Sequence, residues 1–206
     1  MSPELLGLIA DATGETLYMV AVTALLGTAL GLPLGVFLAT TGRGELFEAV
    51  ALNRALGVLV NATRSTPFII LILVVAIIPF TRLIAGTSIG TNAAMVPLTV
   101  AAIPFIARII ETAIREVDHG LIEASRAMGA TPLQIVAKVL LPEARPAIVL
   151  GLTLTVVSLI GYSAMVGAVG GGGLGDLGIR YGYQRFMPEV MAAVVAVLIV
   201  LGRVVN

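Results

Sequence analysis

The feature that most constrains this chain is a series of apolar runs, each about as long as a bilayer is thick, separated by short polar segments. Residues 16–39 and 147–168 contain no charged side chain at all. A helix needs about 20 apolar residues to cross a hydrocarbon core, where backbone polar groups must be satisfied internally. These runs therefore predict membrane-spanning helices, at 16–39, 56–79, 91–110, 147–168 and 189–201. The polar segment 111–146 divides the third from the fourth. Composition agrees: 58% of the 206 residues are hydrophobic and 12% charged, about half the usual charged share of soluble domains. Net charge is zero, which argues against nucleic acid as a partner. With no cysteine, disulfides and thiolate metal sites are excluded.

The individual runs carry punctuation. Acidic Glu4, Asp11 and Glu15 precede the first span without a basic residue, so a cleavable signal peptide is not expected. Gly27, Gly31 and Gly35 recur at four-residue spacing and suit close helix packing, against this chain or another. The segment 40–53 reads as an interfacial helix through Leu46, Phe47, Val50 and Ala51. Arg64 near the second span could snorkel to the interface, and Pro67 bends that span or opens its apolar body. Residues 80–90 read as a turn. Pro97 and Pro104 lie inside the third span and favour a kinked helix within a bundle. Gly170–Asp176 reads as a break in regular structure, but no Gly-Lys-Ser/Thr follows, so it is not a phosphate loop.

The most informative polar stretch is 118–142. Asp118 can cap a short helix that presents Leu121, Ala124, Ser125 and Met128 on one stripe and stops at Gly129. Thr131 is a second N-cap, with Pro132 at the first helical position, Gln134 at the capping-box position and Pro142 as the exit. A compact helical knob between membrane spans is something another protein grips. Basic residues orient it. With the N-terminus outside, nine fall inside (Arg43, Arg54, Arg64, Arg108, Arg115, Arg126, Lys138, Arg145, Arg203) and three outside (Arg82, Arg180, Arg185). That imbalance puts the knob and the C-terminus in the cytoplasm.

Here a resemblance becomes specific. Glu123-Ala124, Gly129 and, after nine residues, Val139-Leu-Leu-Pro142 resemble the coupling-loop signature of bacterial ABC importer permeases, with Val139 in place of the usual Ile. Arg64-Ser-Thr-Pro-Phe68, Tyr162-Ser-Ala-Met165 and the run from Gly170 through Gly182-Tyr-Gln-Arg-Phe186 narrow the resemblance to the methionine-import permeases. It implies an all-α membrane protein of the type I importer fold in the bacterial inner membrane. Two copies would form the pore, served by two cytoplasmic ATPases that bind ATP and Mg and by an external methionine-binding lipoprotein. The permease itself would hold no cofactor and would not hydrolyse ATP. The coupling contacts implied are Glu123, Ala124, Arg126, Gly129, Pro132, Lys138 and Pro142.

For several of these residues a plainer reading stands beside the functional one. Glu123 can simply pair with Arg126, Gly129 can serve the turn alone, and Lys138 fits the inside bias of basic residues. Ser158, Tyr162, Ser163 and Met165 lie in the fourth span and offer a narrow, weakly polar passage. The resemblance implies that Met165 is a gate shared with the second copy; ordinary packing is the alternative. His119, the only histidine, has no second His or Cys with which to hold a metal, and Asp176 and Glu189 make no evident catalytic pair. A glycan at the sequon Asn61-Ala-Thr63 does not suit a cytoplasmic position. The spans lack a free carboxylate or lysine able to hold a zwitterion. A permease for another amino acid or small substrate and a noncatalytic membrane assembly subunit stand as alternatives, as does an ATPase-independent channel or carrier, which should show an ion-coupling site or repeated halves. Neither is visible.

Overall fold

A computed structural model describes residues 3–77, 79–87 and 89–205, and every regular element among them is helical. The helices are α1 (Pro3–Thr40), α2 (Val50–Ser65), α3 (Phe68–Ile77), α4 (Pro79–Ala85), α5 (Thr91–Arg115), α6 (His119–Ala127), α7 (Pro132–Ile135), α8 (Leu141–Gly167), α9 (Gly173–Leu177) and α10 (Pro188–Val205). Single π-turns lie at Val136–Leu140 and Gly178–Tyr183. Four helices are long and apolar enough to cross a membrane, or five if α2 and α3 form one broken span. The break falls at Thr66-Pro67, where proline forbids continuation of the preceding turn. Ile78, within the expected second span, lies outside the described residues, as does Ser88 in the segment after it.

Several boundaries differ from the sequence reading. The first helix already begins at Pro3, because nothing between Pro3 and Thr16 breaks an α-helix. The expected interfacial helix at 40–53 is instead a looped turn up to Ala49. Gly44, with φ +79°, permits the reversal, and the Phe47 and Ala49 N–H groups return to the Thr40 and Thr41 carbonyls. Asn53 Nδ2 then donates to Leu38 O at 2.8 Å, supplying one of the carbonyls that the end of α1 leaves open. A short helix, α4, occupies the first part of the segment read as a turn. The helix α5 passes through Pro97 and Pro104 without interruption.

Pro142 is not an exit. The backbone runs from α7 through the π-turn into α8 as one 36-residue helical stretch, Pro132–Gly167. A proline cannot donate to the turn before it; the wider turn directly upstream, where Leu141 N–H reaches Val136 O, lets the ladder resume. Likewise, the glycine-rich break is confined to 168–172, and α9 starts inside the predicted irregular region.

The chain divides into two compact units. The first comprises Met1–Gly27, Thr66–Ala102 and Thr153–Asn206. Within it, α9 is buried from end to end, against Ala164 of α8 and in an apolar cluster of Ile9, Ala12, Leu174, Leu177, Val190 and Val194. Two side chains of α1 satisfy the opening N–H groups of α9: Gly173 donates to Glu15 Oε2 at 2.6 Å and Leu174 to Thr16 Oγ1 at 2.9 Å. Such a cap normally comes from the residue just before the helix. Here that residue is Gly172, held at φ +77°, which has no side chain to offer.

The second unit comprises Thr28–Ser65 and Ile103–Leu152. Gly31 and Gly35 let α1 meet α5 closely. A Cβ at Gly31 would lie 2.9 Å from that of Ile106, and one at Gly35 would lie 2.7 Å from that of Ile110. The packing partner of this glycine face is therefore the chain itself. Arg64 places its guanidinium 5.1 Å from the Phe105 ring centre.

Candidate functional site

The knob forms as its local chemistry dictates. Asp118 accepts from Gly120 N–H at 2.6 Å and so caps α6. The helix ends in a two-bond reversal: Gly129 N–H donates to Arg126 O, and Ala130 N–H to Ser125 O. This pattern requires a left-handed residue after the cap, and Gly129 has φ +82°. Thr131 then caps α7 in a reciprocal box with Gln134, whose Oε1 accepts from Thr131 N–H at 2.9 Å. Pro132 occupies the first turn, where no N–H is missed.

The stripe on α6 does not pack inward. Only Ser125 is buried, whereas Leu121, Ala124 and Met128 are exposed. Met128 is 80% exposed, and Leu133 on α7 is 72% exposed. Glu123, Arg126, Gly129, Pro132, Lys138 and Pro142 are exposed as well. Glu123 makes no ion pair with Arg126 among the described residues. The knob is therefore held from behind by buried Ile135, Val136 and Leu140, and it presents apolar and charged groups outward together. Three large apolar side chains presented beside charges suit a protein partner better than water.

At its base lies a polar network that the sequence reading counted only as basic residues. Glu111 is buried, with its side chain 5% exposed. It accepts from Arg108 Nη1 at 2.6 Å and pairs with Arg115 Nη2 at 3.0 Å. Arg108 Nη2 also donates to Asn61 Oδ1 at 2.7 Å. The asparagine of the sequon is thus held by Arg108 of the same unit. The i, i+3 and i, i+4 spacing of Arg108, Glu111 and Arg115 around one acid was the available signal.

The four pathway candidates separate in the first unit. Ser163 is buried and bonds Ile160 O at 2.7 Å, and Ser158 bonds Leu154 O at 2.9 Å. Both hydroxyls are turned onto their own helix. Tyr162 stacks on Phe68 with ring centres 4.3 Å apart. Met165 is exposed, on a stripe with Leu154, Gly161 and Ala168. Among the described residues no group of His, Asp and Glu could hold a metal ion.

A family model described as the binding-protein-dependent transport system inner membrane component matches residues 31–206. The chain belongs to that family. Among relatives of this permease, a Vibrio cholerae protein named probable D-methionine transport system permease protein MetI is 59% identical over 199 residues, covering 97% of this chain and 88% of the relative. The D-methionine transport system permease protein MetI of Escherichia coli K12 is 54% identical over 167 residues, covering 81% and 76%. A crystal structure of inward-facing conformations of the MetNI methionine ABC transporter superposes with a TM-score of 0.96 at 51% identity, over 100% of this chain and 94% of that one. A crystal structure of an amino acid ABC transporter with histidines superposes at 0.80 over 98% of this chain and 91% of that one; at 20% identity it bears on the fold alone. The permease is thus an all-α inner-membrane component with the type I importer fold.

Proposed function

We propose that this chain is the permease subunit of an ATP-driven methionine importer. Two copies form the translocation path, and the knob of each seats in a cytoplasmic ATPase. The observation that carries this reading is the outward display of Leu121, Met128 and Leu133 on two capped helices. Relatives named for methionine transport supply the substrate. Glu123, Ala124, Arg126, Gly129, Pro132, Lys138 and Pro142 form the coupling surface. ATP and Mg belong to the partner, and this chain contributes no hydrolytic step. A methionine-binding lipoprotein delivers substrate from outside, where the N-terminus lies; the C-terminus is cytoplasmic and lipid surrounds the spans. ATPase closure draws the knobs together and switches the path between inward and outward access. The exposed stripe through Met165 lines the path, and its flexible thioether closes it against the second copy. Ser158, Tyr162 and Ser163 shape the same span from behind.

The test is reconstitution with ATPase and binding protein in vesicles. ATP-dependent methionine uptake is expected, with two permeases and two ATPases per complex in native mass spectrometry. A single permease, or uptake independent of the ATPase, would reject the reading. In the same vesicles Met165→Cys should cross-link between copies in one nucleotide state and not the other. Efficient labelling without cross-linking during transport would put the constriction elsewhere.

Gly129→Val tests the knob. A left-handed conformation costs an L-residue about 1–2 kcal/mol, and a β-branched side chain suits it least. The turn should reshape, so ATPase co-purification and uptake should fall about tenfold or more at normal permease abundance. Unchanged coupling would remove Gly129 from the surface.

A further inference from the structure

The expected spans contain two arginines, Arg64 and Arg108, and their charges meet different fates. Arg108, on α5 in the second unit, gives Nη1 to buried Glu111 at 2.6 Å and Nη2 to Asn61 Oδ1 at 2.7 Å. Arg64 lies three residues beyond Asn61 on α2, in the same unit, with its guanidinium over the Phe105 ring. That guanidinium makes no ion pair or hydrogen bond among the described residues. A ring face attracts a cation but leaves the N–H groups around its edge without acceptors.

The level of Arg64 makes this costly. It lies eight residues beyond Leu56, where the apolar run opens, which is about 12 Å of helical rise. Phe105 lies inside the expected third span. No acid occurs in 56–79 or 91–110, and Glu111, just past the third span, already serves both Arg108 and Arg115. A charged side chain within the hydrocarbon region faces a bundle interior or a water-filled passage and finds a partner there. Arg64 is exposed on the single chain, so its partner comes from outside the chain.

The backbone beside it has the opposite sign. Helix α2 stops at Ser65, within the apolar run, and Pro67 brings no N–H to the Thr63 carbonyl. The last carbonyls of a helix carry partial negative charge. The Thr63 and Ser65 hydroxyls do not offset it, since each donates one turn back, to Leu59 O and Asn61 O. An unpaired guanidinium next to an open carbonyl end has the two polarities of a zwitterion, inverted.

We propose that Arg64 receives the carboxylate of an α-amino acid crossing the membrane, with the ammonium toward the carbonyl end of α2. This rests on the reading of the chain as the subunit that forms the path. Phe105 keeps the guanidinium aimed between passages, and Arg108, spent on Glu111 and Asn61, fixes α2 against α5 beside it.

The sequence has no cysteine, so Ser65→Cys, at an exposed position next to Arg64, provides a single reporter in this chain. In the permease–ATPase complex in lipid nanodiscs, its modification by anionic and cationic methanethiosulfonate reagents of similar size is followed by the mass of the permease. Both should react, and the anionic-to-cationic rate ratio should fall about tenfold or more when Arg64→Gln is added. Millimolar L-methionine should slow the anionic reagent, whereas methioninamide and N-acetylmethionine, which lack the carboxylate and the ammonium respectively, should not. In vesicles with ATPase and binding protein, Arg64→Gln alone should lower methionine uptake about tenfold or more at normal abundance, and Arg64→Lys should keep most of it. A reporter that reacts with neither reagent, a ratio indifferent to Arg64→Gln, equal slowing by either analogue, or full uptake by Arg64→Gln would overturn the proposal. The two readings fail separately. ATP-driven uptake with an indifferent ratio removes the Arg64 site alone, whereas an Arg64-dependent ratio and slowing by methionine without any uptake refute the importer and leave the site standing.

Discussion

Gly175→Ala should nearly eliminate folded permease from the membrane, although it adds a single methyl group. A Cβ at Gly175 would lie 2.6 Å from Ala164 Cα and nearer still to Ala164 O. Both obstacles are backbone of α8, which cannot rotate away as a side chain does. Gly167 faces the same contact from the other helix, against the backbone of Gly175 and Asp176. Overpacking of a close-packed site costs about 1–3 kcal/mol and more where nothing yields, a large part of ordinary folding stability. Gly161→Ala is the control. It lies on α8 with nothing within 4 Å of its Cβ, and a mid-helix glycine costs about 0.5–1 kcal/mol relative to alanine, so this variant should be neutral or more stable. Fluorescence-detected size exclusion of tagged variants gives the comparison. Equal recovery of both would mean that α8 and α9 do not meet through these glycines.

The second large effect is expected from Arg108→Ala combined with Arg115→Ala. Each single variant leaves Glu111 one cation, so each loss should be modest. Together they strand a buried carboxylate, which costs about 3–5 kcal/mol, and the double variant should fall by more than the sum of the singles. Adding Glu111→Gln should recover most of that loss by removing the charge itself. Thermal midpoints of the complex in detergent test this. Additive singles, or a triple variant no better than the double, would show that the three side chains do not act as one network.

Local chemistry was readable from sequence wherever a few neighbouring residues determine the backbone. Asp118, Gly129, Thr131, Pro132 and Gln134 all take the predicted roles, since capping and turn reversal depend on immediate neighbours. The apolar runs predict helices for the same reason. What failed was the reading of single breakers. Pro142 looked like a stop, but a π-turn five residues long absorbs it. The glycines at 170–176 looked irregular, but two acceptors on α1, distant in sequence by 158 residues, start a helix among them. The direction of the α6 stripe was also hidden, because periodicity identifies a face without saying what covers it.

The knob's reversal bears on how such a surface changes over evolutionary time. Its shape is encoded in the continuous stretch from Asp118 to Gln134, and nothing packs within 4 Å of where a Gly129 side chain would be. A helix of nine residues is too short to persist alone, and α7 is the opening turn of the stretch that runs on into α8, so the shape is local while the stability is borrowed from Ile135, Val136 and Leu140. That division makes the element portable. Leu121, Met128 and Leu133 can drift to follow a changing partner, one substitution at a time, while the membrane body and the turn that aims them are inherited intact.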